Sequence, residues 1–180
     1  MISEDEIRKK WEENPMVKPR IEKVVVNISV GKSGEPLEKA TKVLKELTGQ
    51  KPCKRKAKKT IRDFGIRKGE PIACVTTLRK QGAMDFLKKV LHVVDNKLSK
   101  SCFDNRGNFS FGLKEHIEIP GIKYDPEIGI FGMDISVSLK RPGLRVKNRQ
   151  RAEAKIGSKH LLTPEEAMVF VKENLGVDLV

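Results

Sequence analysis

The sequence predicts an α+β fold in which helices pack on one face of an antiparallel sheet and basic loops extend from it. Short stretches alternate apolar and polar side chains, which is typical of strands with one solvated face. Segments with helical apolar spacing lie between these stretches rather than in a separate block. With 180 residues, the chain is long enough to bury the core of one domain.

The N-terminal part predicts a helix, a strand and a second helix. Ser3 and Glu6 have the spacing of a capping box for a short first helix. Residues 21–30 alternate apolar and polar side chains, which predicts a strand. Pro36 stands at the start of a stretch with helical apolar spacing, and Gly49 is suited to end that helix.

The rest of the chain continues this alternation of element types. Residues 72–79 predict a strand, and the apolar residues between 84 and 98 predict a long amphipathic helix. Residues 109–113 and 135–139 alternate strictly, so both predict strands. The Thr-Pro-Glu-Glu sequence that begins at residue 163 is a strong start signal for a last helix, which Gly176 ends.

Positive charge is concentrated in two segments. The first basic segment, residues 51–68, holds nine basic side chains and one acid, and the second basic segment, residues 140–159, holds eight and one. Their combined charge of +15 exceeds the +13 of the whole chain. Focused positive charge attracts a polyanion because each neutralised phosphate releases a condensed counterion. A membrane-surface patch would need an apolar helix face, which neither segment has.

No catalytic or metal-binding pattern is complete. Residues 31–33 (Gly-Lys-Ser) resemble the end of a phosphate-binding loop, but the glycine required five residues earlier is Val26. Residues 116–118 match the deaminase His-x-Glu pattern without the Pro-Cys-x-x-Cys that completes a zinc site. His92 and His160 have no cysteine or histidine at ligand spacing. We therefore expect no enzymatic activity, no metal and no cofactor.

The sequence also bears on cellular location and on base stacking. No stretch approaches the roughly 18 apolar residues of a membrane span, and the acidic N-terminus lacks the apolar core of a signal peptide. We therefore expect a cytoplasmic protein with reduced cysteines and no membrane partner. Three phenylalanines leave two interpretations open, since their alternation suits either base stacking or core packing: Phe103, Phe109 and Phe111.

Several short motifs then converge on one family. They are Ile21-Glu22-Lys23-Val24-Val25-Val26-Asn27, Thr48-Gly49-Gln50-Lys51-Pro52, Arg67-x-Gly69-x-Pro71-Ile72, Phe103-Asp104-x-Arg106-Gly107-Asn108 and Gly132-Met133-Asp134-Ile135. Over about residues 14–140, their order and spacing resemble the fifth universal ribosomal protein family of the large subunit, which binds 5S rRNA. After Leu139 the chain is similar to the archaeal and eukaryotic branch, and its acidic N-terminal helix and short length resemble the archaeal members.

This resemblance implies a structural constituent of the central protuberance. Such a protein helps attach 5S rRNA to the large subunit and contacts large-subunit rRNA, P-site tRNA, a small-subunit ribosomal protein at an intersubunit bridge and other central-protuberance proteins. We expect a single RNA-binding domain over residues 1–180, with an N-terminal helix (1–14), a family core (15–140), and a basic segment and C-terminal helix (141–180). A general RNA-binding or chaperone module is the alternative.

The resemblance also assigns residues. The surface that faces 5S rRNA is expected to include Asn27, Thr48, Gln50, Lys51, Thr77 and Arg79. The loop at 63–69, which we expect to be mobile in the free protein, is assigned to tRNA together with the residue before it: Arg62, Asp63, Phe64, Gly65, Arg67, Lys68 and Gly69. Other rRNA contacts are expected from Lys54, Arg55, Lys56, Lys58 and Lys59, and from Arg141, Arg145, Lys147, Arg149 and Arg151.

Overall fold

The computed structural model describes residues 4–122 and 125–180, which form helices and strands mixed along the chain. The helices are α1 (Glu4–Glu13), α2 (Glu35–Thr48), α3 (Lys80–Val93), α4 (Arg145–Asn148) and α5 (Pro164–Leu175). The strands are β1 (Arg20–Ser29), β2 (Cys53–Lys56), β3 (Pro71–Leu78), β4 (Lys97–Leu98), β5 (Phe109–Leu113), β6 (Met133–Lys140) and β7 (Asp178–Leu179).

Five strands form one sheet in the order β2-β3-β1-β6-β5. Every neighbouring pair in this sheet is antiparallel, so β1 lies at the centre and β2 and β5 form the edges. This arrangement confirms the predicted α+β class. Successive side chains of a strand point to opposite sides of the sheet. The apolar side chains of the strands, which occupy every second position, therefore lie on one common side.

That side carries the core. Val24, Val26 and Ile28 of β1 are fully buried, and their partners in the register include Leu78 and Ile135. Helix α2 packs against β3, and α3 packs against β1 on this side. The opposite side of the sheet bears the intervening residues of every strand. We call it the open face; its residues are Cys53 and Arg55 (β2), Val75 and Thr77 (β3), Lys23, Val25, Asn27 and Ser29 (β1), Asp134, Ser136 and Ser138 (β6), and Ser110 and Gly112 (β5).

The predicted signals at the ends of α2 and α5 are confirmed. Gly49 follows α2 with φ +65° and donates its N–H to the carbonyl of Lys45, because glycine adopts the left-handed conformation without a Cβ penalty. Thr163 and Glu166 form the expected capping box at the start of α5. The other predicted box includes Ser3, which lies outside the described residues.

Helix α3 ends earlier than its apolar pattern predicts. The pattern continues to Leu98, but the helix stops at Val93 because Asp95 and Asn96 adopt positive φ values of 52° and 54°. These residue types tolerate the left-handed conformation better than most. Leu98 is buried instead in β4, which pairs in parallel with β7. This pairing joins positions about eighty residues apart, so local periodicity gave no sign of it.

Helix α1 docks on α5 through its apolar side. Ile7 and Trp11 are buried in the common core. The Nε of Arg8 donates to the carboxylate of Glu173 at 2.6 Å across the contact. Among the described helices, none combines the length and apolar character that crossing a membrane requires.

Candidate nucleic-acid interface

The open face holds two of the residues expected to meet 5S rRNA, Asn27 and Thr77, and Arg79 directly follows one of its strands. Asn27 of β1 pairs with Val75 of β3, and Val25 pairs with Thr77, so Asn27 and Thr77 lie in adjacent rows of the same face. Arg79 follows β3 two residues after Thr77 in extended conformation and is exposed. The sheet register therefore brings together residues that are about fifty positions apart in the sequence.

The turn at 48–51 lies beside this cluster. Cys53 pairs with Val75, so Lys51, two residues earlier, lies toward the Thr77 end of β3. The Thr48 hydroxyl donates to the carbonyl of Leu44 at 2.6 Å and accepts from the N–H of Gln50 at 3.4 Å. Thr48 is thus used to shape the turn. Gln50 and Lys51 are exposed and available to a partner.

Asn27 is held in one orientation at the centre of the open face. Its amide nitrogen donates to the hydroxyl of Ser29 at 3.0 Å and to the carboxylate of Asp134 at 3.4 Å. Hydroxyl and carboxylate oxygens at this centre accept hydrogen bonds, and Asp134 repels phosphate. The centre is therefore suited to ribose 2′-hydroxyls, which distinguish RNA from DNA, and to base amino groups.

Basic side chains surround this centre on the β2 side. All four residues of β2 are exposed. Strand alternation sends Arg55, opposite Ala73, to the open face, whereas Lys54 lies on the helix side with its ammonium 3.9 Å from Glu38. Lys56, Lys58 and Lys59 continue the exposed basic run. Phosphate contacts from such a rim would position an RNA whose ribose and base groups meet the centre.

Beyond β2 the first basic segment forms a closed hairpin. Ile61 and Ile66 exchange two backbone hydrogen bonds of 2.9 and 3.1 Å, and the N–H of Gly65 donates to the carbonyl of Arg62 at 2.9 Å. Phe64 stands at the tip with 71% of its surface exposed. The sequence predicted a mobile loop, and the structure adds this backbone pairing at its tip. Mobility in the free protein stays a prediction.

Glu70 anchors the base of that hairpin. Its carboxylate accepts hydrogen bonds from the hydroxyl of Ser33 and, at 3.1 Å, from the N–H of Arg67. The bond from Ser33, reinforced by the one from Arg67, lowers the pKa of the Glu70 carboxyl. Ala57 also pairs with Gly69 and Glu70 through backbone bonds of 2.9 and 2.8 Å. The hairpin is therefore tied to the sheet and to the turn after β1.

Arg141 differs from the other residues expected to contact rRNA. Its side chain is only 5% exposed and forms an ion pair with Glu166, and its Nη1 donates to the carbonyl of Lys159 at 3.2 Å. Its charge thus faces the interior, so the expected rRNA contact from Arg141 does not fit its burial. The other four residues of the second basic segment expected to contact rRNA are exposed: Arg145, Lys147, Arg149 and Arg151. No local pattern could reveal this burial, since the partner lies 25 residues away.

The three phenylalanine candidates and His116 have structural roles. Phe109 is buried, and Phe103 and Phe111 pack against the core with ring centroids 5.2 and 6.4 Å from Phe109, so core packing is the correct interpretation. His116 is buried, accepts the N–H of Phe131 at Nδ1 over 3.2 Å, and has its pKa lowered by burial. Within residues 4–122 and 125–180, no group of three His, Cys, Asp or Glu side chains could hold a metal ion.

Comparison with known proteins identifies the family. The family model described as "Ribosomal protein L5" matches residues 14–67, and the model of the C-terminus of the same ribosomal family matches residues 71–170. The large ribosomal subunit protein uL5 of Pyrobaculum aerophilum is 56% identical over 92% of this chain and 93% of its own. The uL5 protein of Aeropyrum pernix is 52% identical over 97% of this chain and 92% of its own. That of Nitrosopumilus maritimus is 47% identical over 92% of this chain and 95% of its own.

These matches cover nearly the whole chain and agree with the fold. The family consists of ribosomal proteins and not of enzymes, which confirms the expectation of a non-enzymatic protein. The relatives named above are archaeal, which confirms the archaeal resemblance. The chain therefore belongs to the ribosomal protein L5 family.

Proposed function

We propose that this protein is a structural constituent of the large ribosomal subunit that binds 5S rRNA through the open face and helps attach it to the subunit. The observation that carries the proposal is the composition of that face. Its centre offers oriented hydrogen-bonding groups around Asn27, and exposed cations of β2 and Arg79 flank it. Polar groups that read ribose and bases, combined with cations that hold phosphates, are the two components of specific RNA binding.

The two basic segments extend this role to further partners. In this proposal, the exposed cations at 54–59 together with Arg145, Arg149 and Arg151 contact large-subunit rRNA. The hairpin and its base, residues 62–69, reach P-site tRNA. The chain acts as one RNA-binding domain in the central protuberance, beside other proteins of that region and a small-subunit protein at an intersubunit bridge. Its place of action is the ribosome in the cytoplasm. A general RNA chaperone with the same charge would lack preference among folded RNAs.

Affinity for 5S rRNA should exceed that for an unrelated folded RNA of equal length, and both should fall as salt rises. We expect a log–log slope of roughly −4 to −8 for 5S rRNA because several phosphates release counterions on contact. Filter binding at four or more salt concentrations measures both quantities. Equal affinity for the two RNAs would favour the chaperone function.

Neutral and charged residues at the interface should have separable effects. Asn27→Ala and Gln50→Ala should each weaken 5S rRNA binding roughly tenfold without changing the salt slope, because neutral groups release few counterions. Lys51→Ala should reduce the slope by at most about one unit. Asn174→Ala, at an exposed position of α5 outside the open face, is the matched neutral control. If Asn27→Ala unfolds the protein, its bonds to Ser29 and Asp134 are structural and the assignment is wrong.

Charge loss in the hairpin should affect tRNA and not 5S rRNA. Replacing Arg62 and Arg67 with alanine leaves the core and the open face intact, because both side chains are exposed. We expect weaker P-site tRNA retention on reconstituted ribosomes, by roughly three- to tenfold, with 5S rRNA affinity preserved. The control with equal charge loss is Lys9→Ala with Lys10→Ala on α1. Loss of 5S rRNA with normal tRNA binding would reverse the two surface assignments.

A further inference from the structure

A groove of about 700 Å³ lies between the end of β6, the loop that holds Arg106 and Asn108, and the second basic segment. Its floor is aliphatic, and Leu161 presents 37% of its surface to solvent there. A leucine exposed in a concave surface leaves apolar area that a bound partner can bury. The aliphatic lining consists of Leu139, Leu144, Ile156, Leu161 and Leu162.

The rim of the groove carries unneutralised positive charge. Lys140 is paired with Glu22 at 3.2 Å, so these two charges cancel. Arg106, Lys147 and Lys155 form no ion pair with any residue that the structure describes. Two further acids lie nearby: Glu153 lines the groove, and Asp104 interacts electrostatically with Arg106 from the same loop. The rim therefore has an excess of positive charge above an apolar floor.

Hydrogen bonds hold both walls in place. Asp104 accepts the N–H groups of Arg106 and Asn108, each at 2.8 Å. The Asn108 side-chain oxygen accepts the N–H of Leu139 at 3.2 Å, which ties this loop to β6. On the other wall, the ring of His160 is hydrogen-bonded to the carbonyl of Pro142 at 2.8 Å. The walls of the groove are thus held by hydrogen bonds between side chains and the backbone.

We propose that this groove binds a short acidic amphipathic segment of another protein, in which apolar side chains alternate with Asp or Glu. The apolar side chains would cover the floor near Leu161, and the carboxylates would meet Arg106, Lys147 and Lys155. RNA fits the groove less well, because bases stack on aromatic rings and phosphates gain nothing from aliphatic carbon. The groove shares Ser138 with the open face, at the opposite end of β6 from Asp134, which contacts Asn27.

Helix α4 separates the two kinds of contact. Lys147 of α4 lines the groove, whereas Arg145 at the start of α4 and Arg149, which directly follows it in extended conformation, are exposed elsewhere. Neither Arg145 nor Arg149 lines the groove. The second basic segment would then use its outer side for rRNA and its inner side, with Lys147 and Lys155, for the peptide.

The test uses the full chain and a fluorescein-labelled twelve-residue peptide that alternates Leu and Glu. Fluorescence anisotropy should show binding that is lost when every Leu of the peptide is changed to Ser. Lys147→Glu with Lys155→Glu should weaken binding about tenfold, and so should Leu161→Asp. The control with equal charge reversal outside the groove, Arg145→Glu with Arg151→Glu, should change it less than about threefold.

Two results would overturn the proposal. An equal loss of peptide affinity in the two charge-reversal variants would mean that the peptide responds only to the net charge of the protein. A twelve-nucleotide single-stranded RNA serves as the competing ligand. If it binds more tightly than the peptide, and its binding is lost in the Lys147/Lys155 and Leu161 variants, the groove is an RNA site. Circular dichroism of each variant establishes that the fold is unchanged. Affinity for 5S rRNA, measured in parallel, separates failure here from failure of the open-face assignment.

Discussion

Replacing Arg141 with leucine should lower the free energy of unfolding by about 3–5 kcal/mol. The guanidinium is buried with the Glu166 carboxylate at the junction of β6 and α5, so its removal leaves a buried negative charge without its partner. It also removes the hydrogen bond to the carbonyl of Lys159, which fixes the end of the second basic segment. We therefore expect that segment to lose its defined position together with the stability. Urea denaturation followed by circular dichroism measures the loss.

A second substitution distinguishes the orphaned charge from lost packing. In the Arg141→Leu background, Glu166→Gln removes the unpaired carboxylate and keeps a side chain suited to the capping box with Thr163, so part of the stability should return. Arg145→Leu is the matched control: this arginine is exposed, and its loss should change stability by less than about 0.5 kcal/mol. A loss of under about 1 kcal/mol for Arg141→Leu would show that the pair is not a structural anchor.

Gly107→Ala should destabilise the protein by about 2–5 kcal/mol through strain and overpacking together. Gly107 has φ +72°, and an added Cβ would lie 2.7 Å from the Cβ of Ala167 and 2.8 Å from Cδ2 of Leu162. Ala167 belongs to α5, so the methyl group would push this helix away from the loop that forms one wall of the groove. Thermal unfolding with calorimetry measures the effect.

Gly69→Ala separates the two contributions. Gly69 has φ +89°, but an added Cβ would meet no heavy atom within 4 Å, so only the backbone strain of roughly 1 kcal/mol remains. The excess cost of Gly107→Ala over Gly69→Ala then reports the contact with α5. If the two variants are equally stable, close packing against Ala167 does not constrain the loop.

The sequence predicted those parts of the fold whose cause is local. Strand β1 follows from the alternation of Val24, Val26 and Ile28, because side-chain direction repeats every two residues in an extended chain. The start of α5 follows from Thr163 and Glu166, which satisfy each other's backbone groups within one turn. The concentration of basic charge likewise needs no structure to be recognised, and it indicated a polyanionic partner.

The sequence alone also determined the family, since many weak motifs occurred in a fixed order, and it grouped Asn27, Thr77 and Arg79 only through that resemblance. Tertiary structure decided which charges are available. It buried Arg141 against Glu166, closed the 61–66 hairpin, ended α3 at Val93 and divided the second basic segment between a groove and an outer surface. The physical reason is range: burial and ion pairing depend on partners brought close by folding, whereas periodicity and capping act between neighbours in the chain.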